Sequence, residues 1–356
     1  MKRQKPLLYL PRRAFLKIGG AGVLGTIIAA GTLPMARGAQ KPSVENVMAN
    51  LHSLKLGEFN PNYAAQWSVR LAQALGYLKE VGINDIDIVL SDQYMPGLIG
   101  GSLNVTHSDT DVLFGSGLKS KLPIKMISCY RHAEWWIMGV RKGINKPQDL
   151  KGAKITGGSL NGRNTLIQRQ IVRKLGLDPD KDVKFVPMGG GSDKRLAALI
   201  NGQVDAASVF PRHKAPLEKE GGKFIFEQIH HTPQESYAAL GSWLAKNEDT
   251  AYAYVRADIR ARQWLFKPEN KQKAYDIMVK LGYKIPDQFK NLYQVELDQI
   301  SPDGGFESAK VMDEFVDDLA AIGTLPKNFD WRKHVDMKYV WAAQKALGLP
   351  KRPASL

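Results

Sequence analysis

The chain uses one local grammar twice, and that repeat limits its fold more than any other feature. "LIGGSLNVTHSD" (98–109) and "LINGQVDAASVF" (199–210) both run Leu-Ile, one residue, Gly, a polar residue, an aliphatic residue, Asn or Asp, and then a strand-like stretch. Upstream, "SLKLGEF" (53–59) is matched a hundred residues later by "AKITGGS" (153–159), each a short alternating apolar run leading into a loop. Helical spacing follows both: Trp67, Leu71, Leu75 and Leu78 closed by Gly82, and Ile167, Ile171 and Leu175 closed by Gly176. Each helix leads into a strand (86–90 and 183–186) and then a short helix ending at Gly101 or Gly202. The strand after Asn104 or Asp205 comes next, and "LPIKMIS" and "GGKFIFE" add one further strand to each half.

Strands alternating with helices predict parallel-rich α/β sheet with helices on both faces. Two units of one plan predict two similar lobes; a period near a hundred residues that occurs twice is not a solenoid. In open α/β sheets the ligand crevice lies at strand ends and the helix starts that follow them. Two such lobes facing each other would each supply one jaw. After residue 236 the style changes. "ESYAALGSWLAKN" reads as a return strand, and two helix faces follow, one of Tyr252, Val255, Ile259 and Phe266, the other of Met312, Phe315, Leu319 and Ile322.

The first 38 residues carry seven basic and no acidic residues, and "PRRAFLKIGG" precedes a weakly apolar run. Paired arginines ahead of such a run look like a twin-arginine export signal, and the run is shorter than the ~20 residues a membrane span needs. Without this segment the formal charge falls from +15 to +8. No Lys/Arg block interleaved with aromatics remains to track a nucleic acid. The one cysteine, Cys129, can form no intramolecular disulfide and no cysteine-built zinc site.

Residues 143–211, "GINKPQDLKGAKITGGSLNGRNTLIQRQIVRKLGLDPDKDVKFVPMGGGSDKRLAALINGQVDAASVFP", resemble the core of the nitrate/sulfonate/taurine-type periplasmic solute-binding proteins, a superfamily that includes binders of thiamine pyrimidine precursors. The resemblance rests on Pro-x-Asp-Leu-Lys-Gly (147–152), "KLGLDPDKDV" (174–183), Ala-Leu-x-x-Gly-x-Val-Asp-Ala (198–206) and, in the first half, "LAQALGYLKEVGINDIDIV" (71–89). It implies a two-lobe α/β fold of the type II periplasmic-binding-protein kind, with C-terminal helices packed on the first lobe. The expected boundaries are a signal peptide at 1–38, lobe 1 at 44–142 and 236–356, and lobe 2 at 143–235. The implied role is the solute-binding component of an ABC importer, exported to the periplasm and monomeric. Its partners would be a permease and an ATPase, with no cofactor, no metal and no nucleic acid. The solute would be small and anionic or aromatic: a sulfonate, a carboxylate, a pyrimidine-like compound or nitrate. The chain departs from the pattern at Asn104, where an acid is expected.

Candidate ligand contacts follow from the loops that end strands. Phe59, Asn60, Asn62 and Tyr63 lie in the first-half loop, and Asn161 and Arg163 in its second-half counterpart. His107 and Ser108 sit on the strand after the first repeat, Tyr130 in "SCYRHAEWW" near the expected crossover, Ser192 at a helix start after three glycines, and Phe210 and Arg212 just past the second repeat. Arg163 and Arg212 are the expected anchors for an anion beside helix N-termini. His107-Ser108-Asp109 cannot chain as a hydrolase triad, because consecutive strand residues face opposite ways. His230-His231 point apart on extended chain, with no third metal ligand at useful spacing, and read as a solvated loop or structural pair. Two rival readings are an enzyme on the same scaffold related to thiamine pyrimidine synthesis, which uses a cysteine-rich segment absent here, and a sensing domain for a separate receptor chain.

Overall fold

The computed structural model describes residues 43–58, 67–91, 94–285 and 290–356. The signal-like segment and the loop holding Phe59, Asn60, Asn62 and Tyr63 lie outside the described residues. Eight strands are described: β1 (Ser53–Glu58), β2 (Asp85–Leu90), β3 (Val105–Asp109), β4 (Ile124–Val140), β5 (Lys154–Thr156), β6 (Lys184–Phe185), β7 (Ala206–Ser208) and β8 (Lys223–Leu240). All belong to one mixed sheet in the order β2-β1-β3-β8-β4-β7-β5-β6. β1 pairs in parallel with β2 and β3, and β5 in parallel with β6 and β7, so the same three-strand unit occurs at each end.

The repeated Asn/Asp has the same task in both units. Asn104 Oδ1 accepts from the Lys55 N–H at 2.7 Å, and Asp205 Oδ2 accepts from the Lys154 N–H at 2.7 Å. Each returns its own N–H to the same partner's carbonyl, at 2.9 and 2.8 Å. The side-chain acceptor closes a backbone donor at the strand start, and an amide oxygen serves as well as a carboxylate. The departure at 104 therefore follows from strand architecture.

Between the two units run β4 and β8, an antiparallel pair of 17 and 18 residues. "LPIKMIS" and "SCYRHAEWW" thus form one strand, and "GGKFIFE", His230-His231 and "ESYAALG" another. The sequence breaks them into pieces because their register shifts at Met126/Ser128, Cys129/Arg131, Arg131/Ala133 and Met138/Gly139. Each bulge interrupts the period of two and bends the strand.

Helices flank the sheet: α1 (Ser68–Ala74), α2 (Tyr77–Glu80), α3 (Tyr94–Ile99), α4 (Thr110–Ser120), α5 (Arg163–Lys174), α6 (Gly191–Ile200), α7 (Lys214–Lys219), α8 (Gly241–Lys246), α9 (Glu248–Leu265), α10 (Lys271–Lys280), α11 (Tyr293–Leu297), α12 (Ala309–Ala321) and α13 (Lys338–Ala346). The single helix expected over Trp67–Leu78 is two, broken at Gly76, whose φ of +82° a side-chain-bearing residue rarely adopts.

The largest core joins residues between Val47 and Tyr130 to residues between Tyr237 and Ala343, so the C-terminal helices complete the first half. In the second half, Trp136, Met138 and Val140 pack with Ile167 and Ile171 of α5. The alternate residue Ile137 packs with Leu199 of α6 and Leu217 of α7 on the other face. No helix among the described residues is long and apolar enough to cross a membrane.

Candidate functional site

A cavity of ≈ 220 Å³ opens beside the long strand pair, walled from both halves. The first half contributes Asp109 at the end of β3 and Asp111 in the first turn of α4; Gln299 and Phe315 of α12 complete that wall. The second half contributes Arg163, Asn164 and Ile167 of α5, with Ser208 at the end of β7 and Val209 and Phe210 after it. Arg131, Glu134, Trp135 and Ile137 reach in from β4 and Gln234 from β8. The start of α5 is placed by Gly157: a Cβ there would lie 2.4 Å from the Thr165 backbone nitrogen, so only glycine lets the loop pass so close.

The cations in this wall are already engaged. Arg163 forms a two-pronged pair with Glu134, one bond at 2.7 Å to Oε2 and the other to Oε1. Glu134 Oε1 also accepts the Trp136 indole N–H at 3.0 Å. Arg131 donates to Gln299 Oε1 at 2.9 Å and to Glu296 Oε2 at 3.0 Å, and its Nε lies 3.3 Å from Glu235 Oε2. His107 Nε2 approaches that same Glu235 oxygen at 3.0 Å. Burial works against the Glu235 charge, but Arg131 and His107 more than offset it and hold its pKa below the ordinary value.

Asp109 is different. Burial first, then Glu235 and Asp111, push its carboxyl up to about 7. Its neutral form is therefore favoured in the folded state. The stability this contributes is complete below the ordinary carboxylate range and is lost as pH rises toward 7.

The predicted contacts separate into three groups. Arg163 and Phe210 line the cavity. Ser192 and Arg212 lie just outside its lining and bond to each other, Arg212 Nη2 to Ser192 Oγ at 2.7 Å, with Arg212 3.7 Å from Asp193 and over the Phe210 ring at 4.9 Å. The other described candidates face elsewhere. Tyr130 is buried, edge-on to His107 at 4.8 Å and to Tyr237 at 5.3 Å. His107 is buried against the same rings, and Ser108 Oγ donates to the Asp109 carbonyl. Asn161 lines a separate groove with Leu160 and Phe185. Arg163, the expected anion anchor, has its Nη1 and Nη2 donors turned to Glu134.

Sequence reasoning missed Asp109, Asp111, Glu134, Gln234, Gln299 and Phe315 as wall residues. A signal existed for two of them: Asp109 and Asp111 bracket a helix start directly after a repeated strand. The others depend on the strand crossing and on chain returning from the C-terminal region.

His230-His231 do diverge as expected, but they sit on β8. His230 stacks on Trp136 at 4.0 Å, while His231 Nδ1 lies 3.3 Å from Glu307 Oε1. His231 alone joins a cluster with His132 of β4 and Glu307 before α12, whose ligand atoms lie within 4.8 Å of one another. Arg352 Nη1 already stands 2.9 Å from both His132 Nδ1 and Glu307 Oε1, so a guanidinium supplies the positive charge there. Burial and Arg352 lower His132 to about 4. Cys129 is fully buried, and desolvation pushes its thiol up to about 12, which leaves it no nucleophilic thiolate at neutral pH.

Two α/β halves, spanned by a long antiparallel strand pair with a cavity walled from both, define a periplasmic-binding-protein fold. Solved structures agree. The periplasmic sulfonate-binding protein SsuA from Methylobacillus flagellatus KT superposes with a TM-score of 0.66 at 17% identity, over 86% of this chain and 97% of that one. The periplasmic nitrate-binding protein NrtA from Synechocystis PCC 6803 gives 0.61 at 16% identity, over 86% and 92%. By sequence, YtlA of Bacillus subtilis (strain 168) is 22% identical over 282 residues, 75% of this chain and 82% of that protein. The NMT1/THI5 like family model matches residues 67–271, more than half of the chain, and the protein belongs to that family.

Proposed function

We propose that this protein is the exported solute-binding component of an ABC importer, which captures a small organic solute and presents it to a membrane permease driven by an ATPase. The observation that carries this reading is the cavity beside the long strand pair, walled by residues from both halves. A ligand there contacts both halves at once, and that shared contact is what makes closure favourable. Residues 44–142 with 236–356 form one lobe and 143–235 the other, and the protein acts as a monomer. The names of the structural neighbours, sulfonate-binding and nitrate-binding, support capture of a solute. The enzyme reading on this scaffold has no support from Cys129, which is buried and protonated.

Native mass spectrometry of protein taken from its own periplasm is expected to show one small molecule per chain. Small-angle scattering is expected to give a smaller radius of gyration once that solute saturates the protein. An unchanged scattering profile at saturation would contradict closure, and turnover of the bound molecule would favour an enzyme.

Export is assigned to the twin-arginine route on the strength of Arg12-Arg13. Fractionation of cells producing the Arg12→Lys/Arg13→Lys variant should find it in the cytoplasm, because the receptor reads that pair as an address. Normal periplasmic levels of the variant would rule out this route.

A further inference from the structure

We propose that the cavity takes a small organic cation, a protonated amine or amidine on a flat or apolar frame, with its N–H donors held by Asp109 and Asp111. This rests on the solute-binding reading above and specifies its ligand class. The charge distribution of the wall carries the argument. Both cations in the wall are closed: Arg163 by Glu134, Arg131 by Glu235 and Glu296. Asp109 and Asp111 line the same cavity, and among the described residues neither carboxylate has a hydrogen bond or ion pair. Asp109 does not use its side chain to cap α4. The Gln234 Oε1 acceptor in the same wall is buried and has no donor.

The internal segments outside the described residues, 59–66, 92–93 and 286–289, contain no lysine, arginine or histidine. Arg195, the other buried arginine of the second half, does not line the cavity, and its Nε donates to the Ser208 carbonyl at 2.8 Å. Acids at a helix start also suit the macrodipole, but that does not explain why the half-buried Asp109, which makes no side-chain cap bond, lines a cavity. Among the described lining residues, an anion entering here would meet two unpaired carboxylates and two arginines that are each already paired with an acid. A cation would meet both acids, the Gln234 oxygen and the Trp135 wall, an arrangement suited to ammonium or amidinium groups.

Calorimetry with benzamidinium, benzylammonium, benzenesulfonate and nitrate decides the question at pH 8. The organic cations are expected to bind at least about 10-fold more tightly than either anion. Asp109→Asn and Asp111→Asn should each weaken benzamidinium about 10- to 100-fold, the range of a charge-assisted hydrogen bond. The ligand-free thermal midpoint of Asp109→Asn should equal or exceed the wild-type value at pH 8, which separates a binding loss from misfolding. Tighter binding of an anion, failure of both cations to bind, or both variants within twofold of wild type would overturn the cation assignment. None of those outcomes touches the solute-binding reading, which stands or falls on the molecule carried from the periplasm.

Discussion

Replacing Arg262 with alanine is expected to cost about 3–5 kcal/mol of stability, the range for removing one partner of a buried ion pair. Arg262 is fully buried in α9, paired through Nη2 with Asp258 one turn earlier. Its Nη1 donates to the Cys129 carbonyl at 2.7 Å and to the Ser301 carbonyl at 3.1 Å, and its guanidinium lies 4.7 Å from the Tyr130 ring centroid. Asp258 in turn accepts from Ser68 Oγ at 2.5 Å. One side chain thus ties a C-terminal helix to the middle of β4, beside the register shift that lets the strand bend. The alanine variant would leave the Asp258 carboxylate buried without its cation and remove one donor from each of the Cys129 and Ser301 carbonyls. Urea unfolding should register the loss. The Asp258→Ala/Arg262→Ala double variant should lose less than the two single variants added together, because the first substitution already removes the pair. A single-variant loss below about 1 kcal/mol would show that Arg262 behaves like an exposed charge, and would refute this account of the core.

Glu134→Gln is expected to change which sign of charge the cavity prefers. In the wild type Glu134 holds Nη1 and Nη2 of the Arg163 guanidinium, which lies 5.2 Å from the Phe315 ring at the start of α5. Glutamine keeps an acceptor for the Trp136 indole N–H but carries no charge. The freed positive charge would sit beside a helix N-terminus that already favours anions. One charge-assisted hydrogen bond contributes about 1.5–3 kcal/mol, so benzenesulfonate binding should strengthen about 10- to 100-fold while benzamidinium weakens. Calorimetry on the variant measures both directions at once. Unchanged affinity for both probes would mean that Arg163 is not turned toward the bound solute.

Arg163 stands where an anion binder would be expected to keep a free cation, and a single β4 glutamate neutralises it. On the cation assignment proposed above, the sign of charge the cavity prefers depends on this pair, whose partners lie 29 residues apart in sequence.

The sequence by itself determined the doubled α/β plan, the helix faces and the family. Each of these is written in local periodicity: Leu71 and Ile171 recur at helical spacing, and Asn104 and Asp205 close the same strand-start hydrogen bond. The break at Gly76 was less legible, since glycine inside a helical pattern permits a left-handed turn without requiring one. Tertiary structure alone decided that two 17- and 18-residue strands carry the chain between halves, because their bulges erase the period of two. It alone also decided the site. Arg163 reads as an open anchor until β4 brings Glu134 to it, and Asp109 reads as an ordinary helix start until burial beside Glu235 and Asp111 raises its pKa. Charge pairing and desolvation depend on distances between residues far apart in sequence, which no local pattern encodes.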